Sequence, residues 1–99
     1  MSQNPLDVFS RIDPEFLKHV GNSREFALSD GALNQKYKFL IAMALDAAAG
    51  TASGTKALAQ AAMKVGATKE EIAETFRVAQ YVSGIGTTYT AGEALAELF

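Results

Sequence analysis

The chain contains no cysteine. That removes thiolate nucleophiles, disulfides and cysteine-type metal sites, whatever the redox compartment. His19 is its one histidine, so a dedicated zinc site lacks a second imidazole, and neither metal nor cofactor is expected. Tryptophan is absent too. No charge dominates: nine Lys and Arg stand against eleven Asp and Glu, a formal net charge of −2. The basic residues are scattered, which leaves no stripe for nucleic acid. The longest apolar run, Phe39 to Leu45, is too short to span a bilayer. The opening MSQNPLDVF has neither the basic start nor the apolar stretch of a signal peptide, so a cytoplasmic location is the default expectation.

What is present points to helices. Ninety-nine residues suit one small domain, 1–99, with residues 1–12 as an N-terminal arm. The apolar fraction is 48%, and alanine supplies much of it. Alanine yields little transfer free energy but lets helix axes approach closely, so a core built this way tends to be completed against another subunit. A homo-oligomer is expected.

In chain order, Leu6, Val8, Phe9 and Ile12 are available to dock the arm onto the body. Asp13-Pro14 reads as an N-cap followed by proline at the first helical position, where its missing N–H is harmless. Phe16, Leu17 and Val20 share a face of that helix; Gly21-Asn22 threatens to end it, or Phe26 with Leu28 continues it, and Asp30-Gly31 marks a turn. A second helix starts near Leu33 or Asn34. Leu33, Tyr37, Leu40, Ile41, Ala44, Leu45 and Ala48 have the spacing of a buried face, but Phe39, Ala42 and Met43 make the opposite side apolar as well. Such a helix belongs at the centre of a bundle or between subunits. Gly50 ends it. A third helix, from about Ala52 to Val65, places Ala57, Leu58, Ala61, Ala62 and Val65 inward, with Gly66 as its cap. Thr68 and Glu71 form a capping box for a fourth helix carrying Ile72, Phe76, Ala79 and Val82. Ser83-Gly84 stops it, and a final helix turns Ala91, Leu95 and Leu98 inward. The expected fold is all-α, a small bundle of about five helices.

The pieces DGALNQKYKFLIAMALDAAAG and ALAQAAMKVGATKEEI resemble the carboxymuconolactone decarboxylase and alkylhydroperoxidase D-like family, from roughly Leu28 to Leu95. The resemblance implies a helical protomer that assembles as a trimer, or as a hexamer built from dimers. Thiol-dependent members carry a glutamate, a Cys-x-x-Cys pair and a histidine at positions that fall here on Phe39, on Thr51 and Gly54, and on Leu58. Decarboxylase-type members usually keep the histidine. Peroxide reduction needs an attacking thiolate and a resolving thiol, and a threonine hydroxyl cannot replace them. Thiol peroxidase activity is therefore excluded by this reading.

The helix start after Gly50 is the centre of the remaining chemistry. Free N–H groups and the hydroxyls of Thr51, Ser53 and Thr55 either hold a carboxylate, phosphate or carbonyl oxygen, or simply cap the helix. Asp46, alone in an apolar stretch, acts as acid or base if buried and unpaired, and is structural if paired. Lys56 is the best-placed cation for an anionic ligand; Lys36 and Lys38 attract an anion or are solvated. His19 is a solvated or capping residue, or reaches another protomer's site. Tyr81, Tyr89 and Thr87-Thr88 line a cavity or an interface. The Phe39–Met43 stripe reads as a subunit contact or the wall of an apolar pocket. Two functions follow: an oligomeric protein binding a small anionic or carbonyl metabolite, with any lyase-like step drawn from Asp46, Lys56 or His19, or a non-catalytic binding or assembly subunit, including one of a larger enzyme.

Overall fold

A computed structural model describes residues 4–99. Asn4 accepts a hydrogen bond from Leu6 N–H at 2.9 Å and opens a 3-10 turn, Pro5–Val8, followed by the short helix α1, Phe9–Ile12. Asp13 then caps α2, Pro14–Leu28, its Oδ1 accepting from Phe16 N–H at 3.0 Å with Pro14 in the first turn. Gly21-Asn22 does not break α2. One mid-helix glycine costs about 1 kcal/mol relative to alanine, too little to end a helix well capped at its start. None of the residues from Pro5 to Leu28 is buried. Phe9 packs edge-on against Phe16, ring centroids 5.3 Å apart, while Leu6, Val8 and Ile12 stay exposed rather than docking on the body. The first three residues of the expected arm lie outside those described.

Asn34 caps α3, Gln35–Ala48, accepting from Lys36 N–H at 3.0 Å. The helix closes through Gly50, whose φ of +84° lies in the left-handed region that glycine tolerates. Gly50 N–H donates to the Ala47 carbonyl (3.1 Å) and Thr51 N–H to that of Asp46 (2.9 Å), the paired bonds of a Schellman motif. The same device ends α4, Ala52–Lys64: Gly66 has φ +104°, and Gly66 and Ala67 donate to Met63 and Ala62. Thr68 and Glu71 form the expected capping box at the start of α5, Lys69–Ser83. Gly84 separates α5 from α6, Ile85–Leu95. The described residues therefore hold six α-helices and one 3-10 turn, with no strand, and α2–α6 are the five expected. None of these helices is long and apolar enough to cross a membrane.

Helices α3 and α6 each pack on both α4 and α5 and on one another, and α2 touches both α1 and α3. The core joins Phe39, Leu40 and Met43 of α3 to Ala59 and Ala62 of α4, to Ala67, and to Ile72 of α5. This corrects the expected orientation of α3. Phe39 and Met43, read as a subunit contact or pocket wall, are buried inside the protomer, whereas Leu33, Tyr37, Ile41 and Leu45 are exposed. With both sides apolar, spacing alone could not choose, and α4 chose the Phe39–Met43 side. Helix α4 likewise buries Thr55, Ala59 and Ala62, leaving Ala57 and Val65 outside. On α5, Ile72 and Ala79 are buried as expected, but Val82 is exposed. On α6, Ala91 is buried and Leu95 is half-buried, as expected.

Across the α3–α5 contact, Glu71 does two jobs. Its Oε1 accepts from Thr68 N–H (2.9 Å) and its Oε2 from Lys36 Nζ (2.8 Å). The bond from Lys36, then that from Thr68, holds the Glu71 carboxyl below its ordinary value of 4.5, and Glu71 raises Lys36 above 10.5. A carboxyl depressed in the folded state adds stability above its unfolded pKa and loses it as the pH falls through the folded one. The raised Lys36 contributes fully below 10.5 and loses its contribution as the pH rises beyond. Glu71→Gln keeps the capping acceptor but removes the charge. The thermal midpoint of the native chain should therefore fall more steeply below pH 4.5 than that of Glu71→Gln; parallel acid limbs would show that the pair carries no linkage.

Candidate functional site at the α3–α4 join

The join begins with a competition for backbone groups. Thr51 N–H is committed to Asp46, and the Thr51 carbonyl accepts both Thr55 N–H (3.0 Å) and Thr55 Oγ1 (2.8 Å). Thr55 is completely buried, so its hydroxyl satisfies the helix rather than facing a ligand. Two of the N–H groups expected to be free, those of Thr51 and Thr55, are likewise spent. Thr51 and Ser53 are exposed, and the Thr51 side chain makes no capping hydrogen bond. The first-turn N–H groups of Ala52 to Gly54 have no partner within an α-helix.

Asp46 comes to this same place. A Cβ built on Gly54 would overlap Oδ2 of Asp46, and would lie 3.0 Å from its Cγ and 3.3 Å from the Thr51 methyl. The carboxylate thus rests where a side chain at position 54 would begin. It sits beside the first turn of α4, where the helix carries partial positive charge. The structure therefore brings Asp46, Thr51 and Gly54 together. They pack against one another, and the principal cavities are lined elsewhere.

The other candidates disperse. Lys56 Nζ meets Glu97 Oε2 at 2.7 Å, tying α4 to the C-terminal turn and holding Glu97 below the usual carboxylate range. His19 is exposed on α2 and makes no side-chain hydrogen bond among the described residues. Phe39 lies in the core, and half-buried Leu58 packs against it. Lys36 bridges to Glu71, and Lys38 Nζ donates to the Ser29 carbonyl (2.6 Å). Thr87 is buried, whereas Tyr89 and Thr88 border a shallow hollow with Ile85 and Glu93, and Tyr81 is almost fully exposed. Among the described residues no cluster of three or more histidine or carboxylate side chains could hold a metal ion.

The largest described cavity, about 510 Å³, is a groove between α3 and α5. Sequence reading missed it because it took this face of α3 for the buried one. The signal was there: a helix apolar on both sides buries only one of them in so small a protomer.

The Asp46–Gly54 contact can be weighed with a double-mutant cycle. Within a helix, alanine gains about 0.5–1 kcal/mol over glycine. Gly54→Ala alone should fall short of that gain, because the carboxylate must swing away, and should recover it in an Asp46→Ala background. Strictly additive effects in urea denaturation would show that Asp46 does not occupy this space.

Comparison with known proteins fits this architecture. The sequence profile of the carboxymuconolactone decarboxylase family matches residues 14–97. An uncharacterised protein of Methanocaldococcus jannaschii is 29% identical over 93 residues, covering 94% of this chain and 87% of its own. The crystal structure of an apo carboxymuconolactone decarboxylase family protein from Legionella pneumophila superposes with a TM-score of 0.85 at 36% identity, covering 92% of this chain and 81% of that one. With most of its length spanned by the family profile and its helices matching a solved member, this chain belongs to the carboxymuconolactone decarboxylase family.

Proposed function

We propose that the chain is a thiol-independent member of its family that acts by binding and assembly, not by peroxide reduction or decarboxylation at the α3–α4 join. The observation that carries this reading is the packing of Phe39 and Leu58. The family resemblance assigns reactive groups to these positions, and here both contribute hydrocarbon to the core beside Leu40 and Met43. Thr51 and Gly54 stand at the positions of the cysteine pair. Asp46 lies against Gly54, so even a cysteine introduced there would have to displace a carboxylate.

Acid–base chemistry finds little support either. A general base must reach the proton it removes. Lys56 is engaged by Glu97, His19 stands on α2, and Asp46 is left as the lone titratable group at the join. A second reading keeps ligand binding at Thr51 and Ser53, favoured by the free Thr51 hydroxyl and the first-turn N–H groups. In that reading Asp46 sets the preference. Its negative charge beside the same turn repels an anion and leaves a neutral carbonyl compound as the better ligand.

The purified chain should neither consume hydroperoxide with a dithiol donor nor decarboxylate carboxymuconolactone above the uncatalysed rate. Turnover of either substrate that persists through repeated chromatography, and falls on Asp46→Asn, would replace the non-catalytic reading with an enzymatic one centred on that carboxylate.

A further inference from the structure

We propose that Asp30-Gly31, in the turn between α2 and α3, is a covalent modification site whose aspartate isomerises through a cyclic imide to isoaspartate. The first turn of α3 sets the rate. The chemistry needs an aspartyl side chain followed by an amide nitrogen that can reach it. Of the four aspartates, Asp30 alone precedes a glycine. Asp13 precedes proline, which has no N–H to offer. Asp7 precedes β-branched Val8, and Asp46 lies inside α3, where the next nitrogen is committed to the helix. Asp30 and Gly31 are both exposed and lie outside the helices. A Cβ built on Gly31 would meet nothing but Lys38 Nζ, at 3.8 Å. The amide is open to approach.

In the reaction the Gly31 nitrogen bonds to Cγ of Asp30. The amide proton and the carboxyl hydroxyl leave together as water, which closes a succinimide ring. Water then adds to either ring carbonyl. Opening at the main-chain carbonyl of Asp30 leaves Gly31 attached through Cγ, which is isoaspartate; opening at Cγ restores aspartate. No electrons are exchanged, and the mass ends unchanged.

Both reacting groups are engaged in the folded chain. Oδ1 of Asp30 accepts from the Gln35 N–H at 2.6 Å, and the Gly31 N–H donates to the Leu33 carbonyl at 3.1 Å. Lys38 Nζ braces the same turn by donating to the Ser29 carbonyl at 2.6 Å. Ring closure therefore waits for this turn to open, a local event that leaves the core in place. Isoaspartate lengthens the main chain by a methylene and shortens the side chain, so Gln35 loses its acceptor. The change falls on the α2–α3 connection.

Gln35 is the first residue of α3, where proline is well tolerated, and Asn34 before it is already extended at φ −76° and ψ 163°. Gln35→Pro thus removes the donor to Asp30 and keeps the helix, which far-UV circular dichroism checks. The intact native chain and the variant are aged at neutral pH and digested with trypsin. The peptide from Glu25 to Lys36 is then scored for isoaspartate, by a chromatographic shift at unchanged mass and by methyl transfer from an isoaspartyl methyltransferase. Isoaspartate should build up at residue 30 about fivefold faster in Gln35→Pro, the factor equivalent to about 1 kcal/mol, one typical hydrogen bond. Gly31→Ala fits the available space and should suppress the reaction in a folded chain, whatever the fate of the proline variant. Equal rates in the native and folded Gln35→Pro chains would overturn the control by α3. Isoaspartate absent from residue 30 in the native chain and Gln35→Pro alike, or undiminished in Gly31→Ala, would overturn the site itself.

Discussion

The contact between α3 and α4 is the constraint on which the other features depend. Gly50 reverses the chain in two residues, and Ala47, Ala59 and Ala62 keep the two helices free of bulk where they meet. Met43 fits between them with no exposed surface. In such a setting a methionine carries more packing than its neighbours, and shortening it to alanine typically costs 2–5 kcal/mol, about the range of a core deletion. The close approach also brings Asp46 onto Gly54, because any larger residue at 54 would hold the carboxylate off. The architecture of the join and the displacement of polar chemistry from it are thus one fact of packing.

This has a consequence for how the family scaffold is used. A helix start beside a glycine turn can present N–H groups, and reactive side chains placed there gain from the dipole. In this chain the same location carries Thr51, Ser53 and Gly54, while its surroundings supply hydrocarbon from Phe39 and Leu58 and one carboxylate from Asp46. The nearby cation, Lys56, has been drawn into an ion pair with Glu97. Together at one join these groups make a packed interior, and the largest described groove lies instead on the apolar outer face of α3.

Much of the architecture could be read from local signals. The Asp13-Pro14 start, the glycines after α3 and α4, and the Thr68–Glu71 box depend on residues a few positions apart, and all appear where expected. Orientation was less legible. The α3 sequence is apolar on both sides, so its spacing fits two opposite faces equally well, and the choice came from α4 through contacts that periodicity does not encode. The ion pairs Lys36–Glu71 and Lys56–Glu97 join residues 35 and 41 positions apart, beyond any local pattern. At the candidate site, the proximity of Asp46 to the start of α4 was legible because a glycine turn forces it. The burial of Thr55 was not, since a threonine in a first turn can face either way.

One face of α3 builds the protomer, and its other face is apolar and about half exposed. If the second face is covered in solution, unfolding is coupled to dissociation and the midpoint must depend on mass action. The direct measurement is the thermal midpoint of the native chain over about a hundredfold range of protein concentration. A midpoint that climbs steadily with concentration is the predicted result. One that stays constant across that range would contradict the account.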